Sequence, residues 1–161
     1  MIRKARREDA RTIANFWNPF IRDTMVTFNT VEKSVGDIVR LIAERPVFLV
    51  AELASEPVGF ATFAQFRAGI GYKNSMEHTI ILAPNAQGSG VGRALMHALE
   101  QQAKAAGTHV LVAGICAENL PGIAFHKACG YVQTGHLPSV GRKFGRWHDL
   151  ILMQKILADG A

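Results

Sequence analysis

Apolar and polar positions along this chain follow two periods, one near two residues and one near 3.6, and the switches between them mark eleven elements. Ile2 to Ala5 suggests a first strand. Ala10, Ile13, Ala14 and Trp17 recur at helical steps, and Pro19 is expected to break or restart that helix. Ser34, with Asp37 three residues on, resembles a helix-opening box ahead of Ile38, Leu41 and Ile42, and Pro46 ends the run. "VFLVAEL" and "VGFATFAQF" read as strands, joined by Ala54-Ser55-Glu56-Pro57 as a hairpin. "EHTIILAP", Glu77 to Pro84, reads as a buried strand centred on Ile80, Ile81 and Leu82. The next helix carries Val91, Leu95, Ala98, Leu99 and Ala106 on one side and Arg93, His97, Glu100, Gln101 and Lys104 on the other. Glu100 and Lys104 are spaced to pair along its exposed face, and Gly107 supplies the stop. The strand "HVLVAGI", a short helix from Pro121 to Ala128 stopped at Gly130, and the strands "YVQTGHL" and "WHDLILMQKI" close the chain. The order β-α-α-β-β-β-α-β-α-β-β predicts an α/β (α+β) fold, a mixed sheet with helices on its faces. With no repeat, linker or low-complexity tract, residues 1–161 are expected to form a single domain.

Composition narrows the class. Hydrophobic residues make up 48% and charged residues 19%, as in a soluble globular chain. No apolar run reaches the length of a membrane span, and the charged start "MIRKARREDARTIANFW" does not read as a signal peptide. Two cysteines, Cys116 and Cys129, are too few for a disulfide framework, so buried free thiols in a cytoplasmic protein are expected. The net charge of +5 suits an anionic ligand or nucleic acid. The chain has no aromatic-plus-basic array and no zinc-finger spacing, and Arg3, Lys4, Arg6 and Arg7 read as a solvated strand end, so no nucleic acid and no membrane partner are expected. The six histidines show no metal-ligand spacing, and no metal is assigned.

The stretch "PNAQGSGVGRALMHALEQQA" puts Gly88, Gly90 and Gly92 at the entrance of the amphipathic helix, where glycine is a poor helix former. The first-turn N–H groups of a helix lack partners and carry partial positive charge, so a strand, a glycine turn and a helix together suit a phosphate. A dinucleotide G-x-G-x-x-G fails because positions 93 and 95 are arginine and leucine, and no Gly-Lys-Ser/Thr run exists for a P-loop. Q-x-x-G-x-G remains, from Gln87 through Gly90 to Gly92, beside the alternative of a tight packed turn.

That third pattern resembles the pyrophosphate loop of the GCN5-related N-acetyltransferases, which bind acetyl-coenzyme A, and the element order is theirs too. Within that superfamily the chain is similar to the phosphinothricin and methionine sulfoximine or sulfone acetyltransferases. The likeness is carried by "TMVTFNT", "FRAGIGYKNSMEHT", "ENLPGIAFHKACGY" and "GHLPSVGRKFGRWHDLILMQ". The resemblance implies acetyl transfer from acetyl-coenzyme A, as co-substrate, to the α-amino group of a small amino-acid analogue, in a cytoplasmic homodimer with Lys143 to Trp147 near the contact. It assigns the cofactor to the loop residues Gln87, Gly88, Ser89, Gly90, Val91, Gly92 and Arg93, to the strand residues Ile80, Ile81 and Leu82, and to Asn119. Asn119 is an equally good helix N-cap ahead of Pro121.

Amines are mostly protonated near neutral pH, so acetyl transfer needs a base, and the leaving thiolate needs a proton. The resemblance makes Glu77 the base; without it, Glu77 is a solvated strand-end charge. It makes His126, where many superfamily members carry tyrosine, a proton donor or second base. Arg67, Tyr72 and Lys73 would face the acceptor, arginine offering a carboxylate two parallel donors, and Phe28 would wall the pocket. Phe66 and Ile81 stand where the family often has tryptophan and tyrosine, which implies a resized pocket. Rival readings are acetylation of a protein N-terminus or polyamine, and a non-catalytic coenzyme A-binding module with no use for Glu77.

Overall fold

The computed structural model of the protein describes residues 1–157; the last four residues of the expected domain lie outside that range. The elements come in the expected order: β1 (Ile2–Lys4), α1 (Ala10–Asp23), α2 (Val35–Glu44), β2 (Phe48–Leu53), β3 (Glu56–Gln65), β4 (Ser75–Leu82), α3 (Val91–Ala105), β5 (Val110–Cys116), α4 (Leu120–Ala128), β6 (Val132–Lys143) and β7 (Arg146–Ile156). The strands form one mixed sheet in the spatial order β1-β2-β3-β4-β5-β7-β6. β4 and β5 pair in parallel; the other neighbours are antiparallel.

Strand alternation decides which helix each residue meets. Phe48, Val50, Phe60 and Ile81 point to one face and pack with Ile13, Trp17, Ile21 and Ile38 of α1 and α2. Leu49, Ala61 and Phe63 point to the other, with Leu111, Ala113, Ile151 and Met153, and meet Leu95, Met96 and Leu99 of α3.

Four local expectations change. Helix α1 runs through Pro19 without a break. Pro19 and Asn15 both lie on its exposed face, so the Asn15 carbonyl that loses its helical donor can turn to water. Glu100 is buried, not paired with Lys104: its carboxylate takes a hydrogen bond from the Lys155 ammonium of β7 at 2.9 Å. Ala103, not Ala106, completes the apolar face of α3. The β2–β3 loop shortens to Ala54 and Ser55, whose φ angles of 49° and 65° match a tight two-residue hairpin turn. The helix-opening box is present in both directions, Asp37 N–H to Ser34 Oγ at 3.0 Å and Ser34 N–H to the Asp37 carboxylate at 2.8 Å.

One feature of the sheet positions the site. The β4–β5 ladder covers Ser75, Met76 and Glu77 against Val110, Leu111 and Val112, and then ends. β4 continues to Leu82 and β5 to Cys116, so the two strands diverge over the rest of their length.

Candidate active site

The gap between the diverging strands opens into a cleft of about 490 Å³. Ile80, Ile81 and Leu82 of β4 form one wall and Ala113, Gly114, Ile115 and Cys116 of β5 the other. Antiparallel pairing bonds every second residue of β4 to β3, as the end bonds Phe66 N–H to Ser75 O and Ala83 N–H to Val58 O show. Ile81 belongs to that bonded set, while the N–H and C=O of Ile80 and Leu82 turn towards β5, where no strand meets them. An extended ligand could therefore pair with Ile80 and Leu82, whereas Ile81 offers the cleft only its side-chain wall. This opening also explains why "EHTIILAP" is not uniformly buried: Ile80 and Leu82 stay half-exposed along the gap.

At the open end stands the glycine loop. Gly88 and Gly90 have φ of +76° and +84°, where an L side chain is strained. Gly92 serves a different purpose: a Cβ there would come within 2.8 Å of Leu82 and 3.2 Å of Phe125, so its absence lets α3 close on β4 and α4. No hydrogen bond among the described residues takes up the N–H groups of Gly88, Gly90, Gly92 and Arg93. Ser89 N–H and Val91 N–H make long internal bonds of 3.4 Å, to Ala86 O and Ser89 Oγ. Gln87 and Gly88 line the cleft, and the free donors at the N-terminus of α3 suit an anion at its mouth.

Asn119 is the N-cap of α4, its Oδ1 accepting Gly122 N–H at 3.1 Å, and also stands at the cleft. From the other side comes the segment between α1 and α2. Asn18 grips Lys33 through two bonds of 2.9 Å, and the buried Lys143 ammonium donates to Thr27 O at 2.7 Å. Phe28 on this strap lines the cleft, its ring stacked on His148 and pressed against Gly141, where a Cβ would overlap it.

Glu77 sits where the β4–β5 ladder ends, and its Oε2 lies over Gly114 in the space a side chain would fill. Part of the residue reaches solvent, yet burial of the carboxyl by its surroundings holds its pKa above the usual carboxylate range. Strand alternation sends His78, its chain neighbour, to the opposite face. There His78 meets His126 of α4, with Nε2 to Nε2 at 2.9 Å and rings 5.1 Å apart, and both line the cleft. His126 Nδ1 lies 2.8 Å from Gly122 O. Burial lowers both imidazole pKa values, that of His78 to about 3, with His126 beside it adding to the effect.

Arg67, Tyr72 and Lys73 stand apart from this assembly. All three are exposed on the connection that enters β4 ahead of Glu77, Arg67 stacked over Tyr72, and none of them lines the cleft. Three groups of metal-ligand type do converge, Cys116, Glu118 and His148, although their sequence spacing gave no sign of it. Their carboxylate is committed: Glu118 accepts Arg146 at 2.9 Å and His148 Nδ1 at 2.6 Å, while His148 Nε2 faces Lys143 O. The network ties the β6–β7 hairpin to the end of β5. Both cysteines are free; Cys116 is buried as expected, whereas Cys129 is only half-buried.

His78 is the member of the site that sequence reading passed over. Its signal was the two-residue step to Ile80 and Leu82, which puts all three on one face of β4, towards α4.

The sheet thus opens at its parallel pair, with two imidazoles lining the opening and the Glu77 carboxyl, which does not line it, where the ladder ends. Residues 11–131 match the acetyltransferase (GNAT) family, and the chain belongs to that family. It is 36% identical over 158 residues to the L-amino acid N-acyltransferase MnaT of Escherichia coli, covering 95% of this chain and 91% of the relative. It is 34% identical over 165 residues to an L-methionine sulfoximine/L-methionine sulfone acetyltransferase of Salmonella typhimurium, covering 99% and 96%. The phosphinothricin acetyltransferase of Sinorhizobium meliloti, solved with acetyl-coenzyme A, superposes with a TM-score of 0.93 at 27% identity, covering 99% of this chain and 89% of the other.

Proposed function

We propose that the protein transfers the acetyl group of acetyl-coenzyme A to the α-amino group of a small amino-acid-like acceptor of the methionine sulfone, methionine sulfoximine or phosphinothricin type. The observation that carries this reading is the divergence of β4 from β5 beside a loop with unused N–H donors, with the Glu77 carboxyl at the vertex. The N–H groups of Gly88, Gly90, Gly92 and Arg93 hold the pyrophosphate, with Gln87, Ser89 and Val91 shaping the turn. Ile80 and Leu82 pair with the pantetheine arm, Ile81 walls it, and Asn119 meets its thiol end. Glu77 takes a proton from the acceptor ammonium. The amine then attacks the thioester carbonyl, the C–S bond breaks, and the thiolate takes a proton. His126 is the second group placed to move protons there.

Phe28 walls the acceptor end, and Arg67, Tyr72 and Lys73 act from the surface beyond Glu77 as the acceptor's carboxylate clamp. The exposed Leu137, Val140, Phe144 and Trp147 on the β6–β7 hairpin support a homodimer, and dependence on coenzyme A together with two free thiols supports a cytoplasmic setting.

Thiol release measured across amino acids, the three analogues and their decarboxylated counterparts tests the acceptor class. Methionine sulfone, methionine sulfoximine and phosphinothricin should turn over fastest. Arg67→Ala should raise the acceptor KM with little change in that for acetyl-coenzyme A. Equal turnover of decarboxylated analogues would remove the carboxylate clamp, and turnover of polyamines alone would overturn the acceptor class.

A further inference from the structure

The two imidazoles that line the cleft are bonded to each other, and that bond restricts what either can do. His126 Nδ1 lies 2.8 Å from the Gly122 carbonyl oxygen, which can only accept, so Nδ1 carries a proton. A neutral imidazole has one ring proton, so Nε2 of His126 is bare. The contact of 2.9 Å between the two Nε2 atoms then requires the proton to belong to His78. His78 Nδ1 is left bare too, buried and without a partner among the described residues.

Among the described residues, no carboxylate faces the pair to pull it towards the imidazolium form. Tyr131 meets both rings edge-on, at 5.3 and 5.4 Å, and gives its hydroxyl to Met96 Sδ at 3.5 Å. Burial, with Glu100 nearby, holds that phenol above its ordinary pKa, so it stays neutral, and the Glu100 carboxylate is paired with Lys155. From α4 comes Phe125, edge-on to His126. On β4 itself, Glu77 points to the opposite face. Burial favours the uncharged form of both imidazoles, which agrees with the proton count.

We propose that His78 is a positioning residue that acts through His126: its Nε2–H fixes His126 as the neutral Nδ1–H tautomer and occupies its only lone pair, so that His126 gives no proton to the departing thiolate while the pair is intact. The His126 N–H is spent on Gly122, and the lone pair of its other nitrogen is taken by His78. The thiolate therefore receives its proton from water, or from Glu77 after that carboxyl has taken one from the amine. The balance closes in either case. The ammonium loses two protons in becoming the amide; one reaches sulfur and the other leaves through solvent.

The kinetic consequence rests on the acetyltransferase reading above, whereas the tautomer assignment does not, so two measurements separate them. In protein labelled with ¹⁵N at histidine, long-range ¹H–¹⁵N spectra of the resting enzyme at about pH 7.5 should show His126 protonated at Nδ1 and bare at Nε2, and His78 the reverse. His78→Leu removes the donor. His126 should then gain its second ring proton at a higher pH than in the wild type, and an added acidic limb should enter the kcat profile. His78→Gln keeps an N–H aimed at His126 and should restore the wild-type tautomer and remove that added limb. In His78→Leu, kcat at pH 8 should fall by less than the about 10²-fold minimum expected on losing a positioned acid–base group. A wild-type spectrum with His126 protonated at Nε2 would overturn the proposal even if neither variant folded. So would a His78→Leu protein with unchanged His126 shifts and an unchanged kcat profile. If no acceptor turns over, the spectra still decide the role of His78 while the acetyl-transfer reading fails by itself.

Discussion

Glu77 and His126 were singled out by the family resemblance; without it Glu77 reads as a solvated strand-end charge. His78 was not singled out, since a lone histidine on a strand is ambiguous until the facing helix is placed, and the helix is set by long-range packing. Glu100 shows the same limit from the other side. Its spacing to Lys104 fits an exposed pair, yet its burial follows from Lys155, fifty-five residues away, arriving at the same depth. At Glu77 the structure sharpens the expectation. The carboxyl is desolvated over Gly114 and its pKa raised, so its basic form grows in at a higher pH than for an ordinary glutamate. Glu77→Gln should lower kcat by about 10²- to 10⁴-fold, leave the acetyl-coenzyme A KM nearly unchanged, and abolish the acidic limb of kcat/KM that this group produces. Near-full activity in Glu77→Gln would transfer the role of base to the histidine pair or to solvent.

The order of the elements was readable because most strands and helices keep their own period; β6, read as ending at Leu137, runs on to Lys143 through two shifts of register. Missing from the pattern was the point at which one strand leaves another. Divergence of β4 from β5 is a relation between two segments, and no periodicity within either records it. Pro19 was misread for a related reason: a proline breaks a helix when its orphaned carbonyl has nowhere to turn, and exposure is a tertiary property. The glycine loop was legible as a whole and divides by mechanism in the structure. Gly90→Val would strain a β-branched residue at φ +84° and so mix fold damage with ligand effects. Gly90→Ala is the cleaner probe, because nothing lies within 4 Å of its Cβ position. It should cost about 1–2 kcal/mol in stability from the left-handed backbone and raise the acetyl-coenzyme A KM. Isothermal titration together with a denaturant midpoint reads both, and unchanged affinity would detach the loop from the phosphates.

For the whole molecule, the buried histidine pair couples folding to acid. The unfolded chain takes up a proton at His78 near pH 6.5, whereas the folded chain does not until about 3. The unfolded state therefore binds more protons across that window and stability falls as pH falls, by about 1.4 kcal/mol per pH unit for one fully unmatched proton. His126, shifted in the same direction, adds to the slope. Glu77, shifted upward, opposes it as its folded form gains a proton first. Denaturant midpoints at pH 7.5 and 5 should differ in the wild type and differ less in His78→Gln, which cannot titrate there; equal midpoints in the wild type would exclude the coupling. The three-residue ladder between β4 and β5 has a mechanical meaning as well. The sheet is two panels, β1–β4 and β5–β7–β6, paired by backbone over a single short seam; α3 side chains pack across it on one face, and the His78–His126 and Lys143–Thr27 bonds also cross it. A molecule threaded into the open part of that seam would act as a missing strand, so that occupying the cleft and stiffening the two panels against each other become one event.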